Sequence, residues 1–126
     1  MRRITILLLM LLLLLSACNT NTFMFSGESK NWSAELKVTQ TSDDFEKQEF
    51  ILKYKGQDIE SVGEITYNVD TNAGGFGYSG KTLGENGTIL DSDESNPTNA
   101  KISENSEVKV TVKWNGNTET LILTNN

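Results

Sequence analysis

The sequence predicts an all-β domain, a single antiparallel β-sandwich of about seven strands. Three observations carry this. Apolar and polar residues alternate with period two through most of the chain beyond residue 30. Clusters of Gly, Asn, Asp and Ser interrupt that alternation at short intervals. No stretch beyond residue 17 shows the 3.6-residue period of an amphipathic helix.

Taken in order, Trp32, Ala34, Leu36 and Val38 alternate with Ser33, Glu35, Lys37 and Thr39, the pattern of a half-buried strand. Phe50, Leu52 and Tyr54 repeat it, and Gly56-Gln57-Asp58 ends the run as a turn. Ile65, Tyr67 and Val69 form the next alternating set, broken by Asp70-Thr71-Asn72. A shorter apolar piece, Thr88-Ile89-Leu90, follows Asn86-Gly87. The last hairpin is the clearest local signal. Glu107 to Trp114 and Thr118 to Thr124 flank Asn115-Gly116, and Asn-Gly favours the positive φ values of a two-residue type I′ turn. Closing the turn there pairs Trp114 with Asn117, Val110 with Leu121 and Val108 with Leu123, so the apolar residues share one face. A one-residue slip would bring the valines opposite Ile122 and Thr124. Glu119 opposite Val112 is the one mismatch, placed near the turn where the carboxylate reaches water. Trp32, Trp114, Tyr54 and Tyr67 are the aromatics expected to fill the core. Many short strands with turn signals between them suit an immunoglobulin-like sandwich, with a small barrel as the other arrangement of the same pattern.

Ahead of this domain, Arg2-Arg3 gives a positive end and Ile4 to Leu15 is apolar except for Thr5. That run is too short for a permanent membrane span, which needs about 20 apolar residues, and matches the core of an export signal. Leu15-Ser16-Ala17-Cys18 then looks like the bacterial lipobox: a branched apolar residue, two small residues and a cysteine at the end of the leader. The competing reading is an ordinary secretory leader with an incidental cysteine. The lipobox match predicts cleavage of residues 1–17, lipidation of Cys18, and two acyl chains that hold the protein on the outer face of the cell membrane, since one chain alone binds only marginally. Asn19 to Thr22 is polar and aperiodic, so 18–26 is expected as a lipidated tether and 27–126 as the folded domain.

The chain has 126 residues, and removal of the leader leaves 109, enough for one core. Both arginines leave with the leader, so nine lysines face all 17 acids, a formal balance of −8. Such a surface repels nucleic acid, whose binding depends on clustered Lys and Arg. There is no histidine, and Cys18 is the only cysteine. A Ser-His-Asp arrangement, an imidazole base, a histidine zinc site, an intramolecular disulfide and a thiolate cluster are thereby excluded. No cofactor is expected.

Three motifs remain. Gly75-Phe76-Gly77-Tyr78-Ser79-Gly80-Lys81-Thr82 matches the nucleotide P-loop letter for letter, and Gly75, Gly77 and Gly80 also fit the dinucleotide pattern. A P-loop, however, is entered directly from a strand and opens a helix whose first amides hold phosphate. Here Val69 lies well before Gly75, and Gly84 and Gly87 fall where the helix should run, so a flexible glycine-rich loop or irregular edge strand is expected. Phe76 and Tyr78, set between glycines, are candidate contact residues for a glycan or protein; the alternative folds one or both onto the core. Asp91-Ser92-Asp93-Glu94-Ser95-Asn96 offers three carboxylates, but lacks the glycine and distal glutamate of a calcium loop and reads better as a solvated acidic loop.

The segment Gly27-Glu28-Ser29-Lys30-Asn31-Trp32-Ser33-Ala34-Glu35-Leu36-Lys37-Val38 behind a lipobox, a glycine-rich middle, and the closing Val110-Thr111-Val112-Lys113-Trp114-Asn115-Gly116-Asn117-Thr118-Glu119-Thr120 resemble a group of small uncharacterised membrane lipoproteins of Firmicutes. The resemblance implies a surface location and a sandwich fold and brings no site residues. The sequence-level expectation is therefore a non-enzymatic, membrane-anchored, extracytoplasmic binding or envelope-associated module, with an envelope protein or glycan as partner. The other class is a metal-binding protein or hydrolase that works through carboxylates alone.

Overall fold

The computed structural model describes residues 3–7, 20–41, 45–95 and 101–125. Cys18 and most of the leader lie outside the described residues. Eight strands follow in order: β1 (Thr20–Glu28), β2 (Trp32–Thr41), β3 (Glu46–Tyr54), β4 (Ile65–Thr71), β5 (Gly74–Lys81), β6 (Thr88–Ser95), β7 (Val108–Trp114) and β8 (Asn117–Asn125). All pairings are antiparallel, and the strands form one sheet in the order β5-β4-β7-β8-β1-β2-β3-β6.

The all-β class and the alternation are as expected, and the architecture differs. In place of about seven strands in two packed sheets there are eight strands in one sheet, curled until its two edge strands approach each other. The Phe50 ring of β3 packs edge-on against Phe76 of β5 at 6.0 Å between centroids, and the Tyr67 hydroxyl of β4 donates to the Asp91 carboxylate of β6. Alternation tells which face of a strand is buried; it does not tell whether that face meets a second sheet or the far side of its own.

The extra strand comes from the expected tether. Thr20 to Ser26 belong to β1, which pairs with β2 from Thr20↔Thr41 to Glu28↔Ser33. Phe25 is buried and Phe23 packs beside it, their rings 5.6 Å apart. Against β8, β1 makes a short ladder, Phe25↔Asn125 and Ser26↔Thr124. The two chains come so close just beyond it that a Cβ on Gly27 would run into the Ile122 carbonyl. This short ladder joins the two halves of the sheet.

The closing hairpin has the expected register, with Trp114↔Asn117, Val110↔Leu121 and Val108↔Leu123, and Asn115 and Gly116 have φ of 45° and 76°. Val108, Val110, Val112, Leu121 and Leu123 are all buried. They join Phe25, Leu36, Val38, Phe50, Leu52, Ile65 and Val69 in a continuous core, and each such side chain contributes about 1.5–3 kcal/mol on leaving water. Trp32, Tyr67 and Trp114 are buried as expected, while Tyr54 packs against the core from its margin.

Glu119 does more than reach water. Its carboxylate accepts from Ser29 Oγ at 2.6 Å, from the Asn31 amide at 2.9 Å and from Asn31 Nδ2. It thus ties the β1–β2 turn to the start of β8, on the side where the short β1–β8 ladder has already ended. Burial opposes its ionisation, but the Ser29 and Asn31 hydrogen bonds outweigh burial and hold the carboxyl below its ordinary value.

Candidate functional site

The curled sheet ends in two edges, β5 and β6, which do not pair with each other. Alternation sends one set of β6 side chains inward at this seam. Ile89 faces the core opposite Leu52, and below it Asp91, Asp93 and Ser95 stand opposite Phe50, Gln48 and Glu46 of β3. The inner surface therefore changes from apolar to polar along the seam. At the polar end, close to where β1 begins, lies a cavity of about 220 Å³ lined by Glu46, Gln48, Thr71, Phe76, Asp93 and Ser95 and by the backbone of the β4–β5 turn.

Two of these residues are buried polar groups on an internal strand. Glu46 is 1% exposed and Gln48 8%. Both Glu46 oxygens are occupied: Oε1 accepts from Gln48 Nε2 at 3.0 Å, and Oε2 accepts from Gln40 Nε2 at 2.8 Å and from the Ile102 amide at 3.1 Å. Gln40 Nε2 also donates to the Ile102 carbonyl at 2.9 Å, so the segment holding buried Ile102 closes the end of the fold over this network. The bond to Glu46 fixes the orientation of the Gln48 amide, because a flipped amide would turn its oxygen toward a carboxylate. Gln48 Oε1 is then left buried with no hydrogen-bond partner among the described residues. A buried acceptor left unpaired costs about 1–3 kcal/mol. The other such atom, Trp32 Nε1, lies among aromatic rings, with Tyr54 at 5.2 Å and Trp114 at 5.3 Å.

Phe76 and Tyr78 fall on strand β5, in keeping with the irregular edge strand and against the flexible loop. Their fates differ. Phe76 is half-buried, on Phe50 and against the core, and forms one wall of the cavity. Tyr78 is 55% exposed, with the Lys81 ammonium 4.6 Å from its ring centroid. The P-loop spelling is strand too. Gly75 and Gly77 lie against β4 so closely that a Cβ on either would meet the carbonyls of Val69 and Tyr67, and Gly80, at φ 74°, sits at the irregularity where β5 shifts register against β4. β5 leads through 82–87 into β6, and no helix opens after it.

The expected acidic loop is also strand as far as Ser95, and Asn96 lies outside the described residues. Alternation places Asp91 and Asp93 on the inner face and Glu94 on the outer one, so the three carboxylates diverge. Asp91 is committed to Tyr67, whose hydroxyl is pushed to a higher pKa by burial first and by that hydrogen bond and charge second. Among the described residues, no group of three or more His, Cys, Asp or Glu could hold a metal ion, and no helix is long and apolar enough to cross a membrane.

Glu46, Gln48 and Gln40 were not singled out from sequence. The signal was there in part: Glu46 and Gln48 continue, toward the N-terminus, the inward alternation of Phe50, Leu52 and Tyr54. Comparison with protein-family models, with curated proteins and with solved structures finds no match.

Proposed function

We propose that this chain is a membrane-anchored, extracytoplasmic, non-enzymatic binding module whose ligand enters the seam between β5 and β6. The observation that carries the binding reading is the seam itself, where a cavity lined by Gln48, Phe76, Asp93 and Ser95 lies between two edge strands that approach without pairing. A cavity with an aromatic wall and a few placed polar groups is a usual form of a small-ligand site, in which the polar groups orient what enters.

The anchor rests on Leu15-Ser16-Ala17-Cys18 at the end of an apolar leader. β1 begins at Thr20, two residues beyond Cys18, a span of about 7 Å when extended. Lipidation at Cys18 would therefore seat the Thr20 end of the fold, which is also the cavity end, against the bilayer. Resemblance to small Firmicutes lipoproteins agrees with that location.

The test is a fragment screen by amide and side-chain NMR on the full chain in detergent. Shifts should concentrate at Gln48, Gly74 to Phe76, Asp93 and Ser95. Fragments that bind elsewhere, or nowhere, would remove the seam as the site. For the anchor, Cys18→Ser should abolish lipid labelling and release or misprocess the protein; a normally processed, membrane-retained variant refutes lipidation.

A further inference from the structure

The seam is shaped like a jaw. β5 and β6 are consecutive strands that run antiparallel to each other, joined by residues 82–87, and they share no ladder. At the joined end the connection is fixed by backbone bonds: the Gly84 amide donates to the Thr88 carbonyl at 3.0 Å, Gly87 to Gly84 at 2.9 Å and Tyr54 to Gly87 at 3.0 Å. Gly87 and Ile89 are buried there. The cavity lies at the other, free end, beside Gly74 and Ser95.

Between the two ends the Tyr67 hydroxyl donates to the Asp91 carboxylate. Among the described residues this is the one hydrogen bond that joins β4 or β5 to β3 or β6, and no ion pair does so. The Phe50–Phe76 ring contact is its apolar companion. Asp91 is also where the inward hold on β6 ends. Ile89 is buried and Asp91 half-buried, whereas Ser92 to Ser95 are all exposed. The side chains of that far stretch make no hydrogen bond or ion pair among the described residues, so its ladder to β3 is what holds it. It nevertheless supplies Asp93 and Ser95 to the cavity wall. The Ser92 amide closes on Asp91 Oδ1 at 2.8 Å, so the carboxylate that grips Tyr67 also fixes where the far stretch begins. Burial, and after it the bond to Asp91, raises the pKa of the Tyr67 hydroxyl and keeps it a donor at neutral pH.

We propose that the Tyr67–Asp91 bond is a latch: it sets how far the Ser92–Ser95 end of β6 swings away from β5, and so controls entry to the cavity. This rests on the binding reading of the seam given above and names how that site is regulated. Without a ladder across the seam, one hydrogen bond to a charged group carries much of the closure. The swing itself takes little apolar surface into water, because the moving stretch is already exposed, and such segments open locally at low cost.

The experiment uses the full chain in detergent, with amide NMR and a soluble gadolinium chelate as the probe of exposure. Tyr67→Phe removes the hydroxyl and keeps the ring, and it leaves Asp91 with the Ser92 amide and access to water. Relaxation by the chelate should rise about twofold at Gln48, Phe76 and Asp93 and stay at the wild-type level at Val110 and Leu121. Asp91→Ala, a change at the half-exposed side of the pair, should reproduce the effect, and combining it with Tyr67→Phe should add nothing. Asp91→Asn, whose carbonyl oxygen still accepts from Tyr67, should fall between these variants and wild type. An unchanged seam in Tyr67→Phe and Asp91→Ala, effects that sum in the double variant, or an equal rise at Val110 and Leu121 overturns the latch. Seam-binding fragments separate the two ideas. Equal association rates for wild type and Tyr67→Phe refute the latch and leave the site. A seam that opens in Tyr67→Phe while no fragment binds either protein supports the swing and removes the binding reading.

Discussion

Replacing Glu119 with Gln tests how the two halves of the sheet are held together. The wild-type carboxylate accepts three hydrogen bonds, from Ser29 Oγ, the Asn31 amide and Asn31 Nδ2. A hydrogen bond to a charged, buried group contributes about 1.5–3 kcal/mol, and this site is half-exposed, so water offsets much of that sum. The Gln amide can still accept from one side but presents a donor to Asn31 Nδ2 on the other. The net loss expected at pH 7 is about 2 kcal/mol. The pH dependence gives the sign. The folded-state pKa of Glu119 lies below its ordinary value of 4.5, so the stabilisation is fully present above the unfolded value and is lost as pH falls through the folded one. Urea unfolding followed by tryptophan fluorescence, from pH 7 down to pH 3, should show a gap between wild type and Glu119→Gln that is widest at pH 7 and closes below about pH 4.5. A gap that stays constant over that range, or no gap at pH 7, would refute the clamp.

Three further outcomes are expected. Phe76→Ala should cost about 2 kcal/mol in the same assay, because a half-buried ring on Phe50 is lost, whereas Tyr78→Ala should stay within about 0.5 kcal/mol; equal effects would contradict their placement. Gly27→Ala should destabilise by about 2–3 kcal/mol, since β8 must retreat from the new methyl group and the short β1–β8 ladder goes with it; a neutral result by thermal unfolding would show that the strands are not so close. Gly116→Ala should cost about 1 kcal/mol by the same measurement, through the positive φ that the turn demands.

What could be read in advance followed from local chemistry. The β7–β8 register was legible because Asn115-Gly116 demands one turn geometry and because valines and leucines on both arms land on one face only in that register. β1 was not assigned, although Phe23 and Phe25 alternate with Met24 and Ser26, because the polar residues just after Cys18 suggest a tether and β1 is short of apolar residues before Phe23. Its pairing partners, β2 and β8, are respectively adjacent and about a hundred residues away in sequence, and closure between distant strands leaves no mark within either one. Glu119 was misjudged for the same reason: its partners Ser29 and Asn31 come from the other end of the chain.

The polar seam invites a simpler explanation, which the structure allows to be weighed. Edge strands often carry inward-pointing charges that discourage pairing with other chains, and Asp91 and Asp93 on β6 fit that role. Edge defence accounts for residues on the edge itself, and Asp91 is moreover satisfied by Tyr67. It does not account for Gln48 or Glu46. They sit on β3, which is paired on both sides by β2 and β6, and so has no edge to defend. Apolar residues at these two positions would extend the inward run of Phe50 and Leu52 and would remove both a buried charge and an orphaned oxygen. Keeping Gln48 Oε1 buried and unpaired works against stability. Edge defence therefore explains part of the seam, and the cost carried by Glu46 and Gln48 on an internal strand lies outside it.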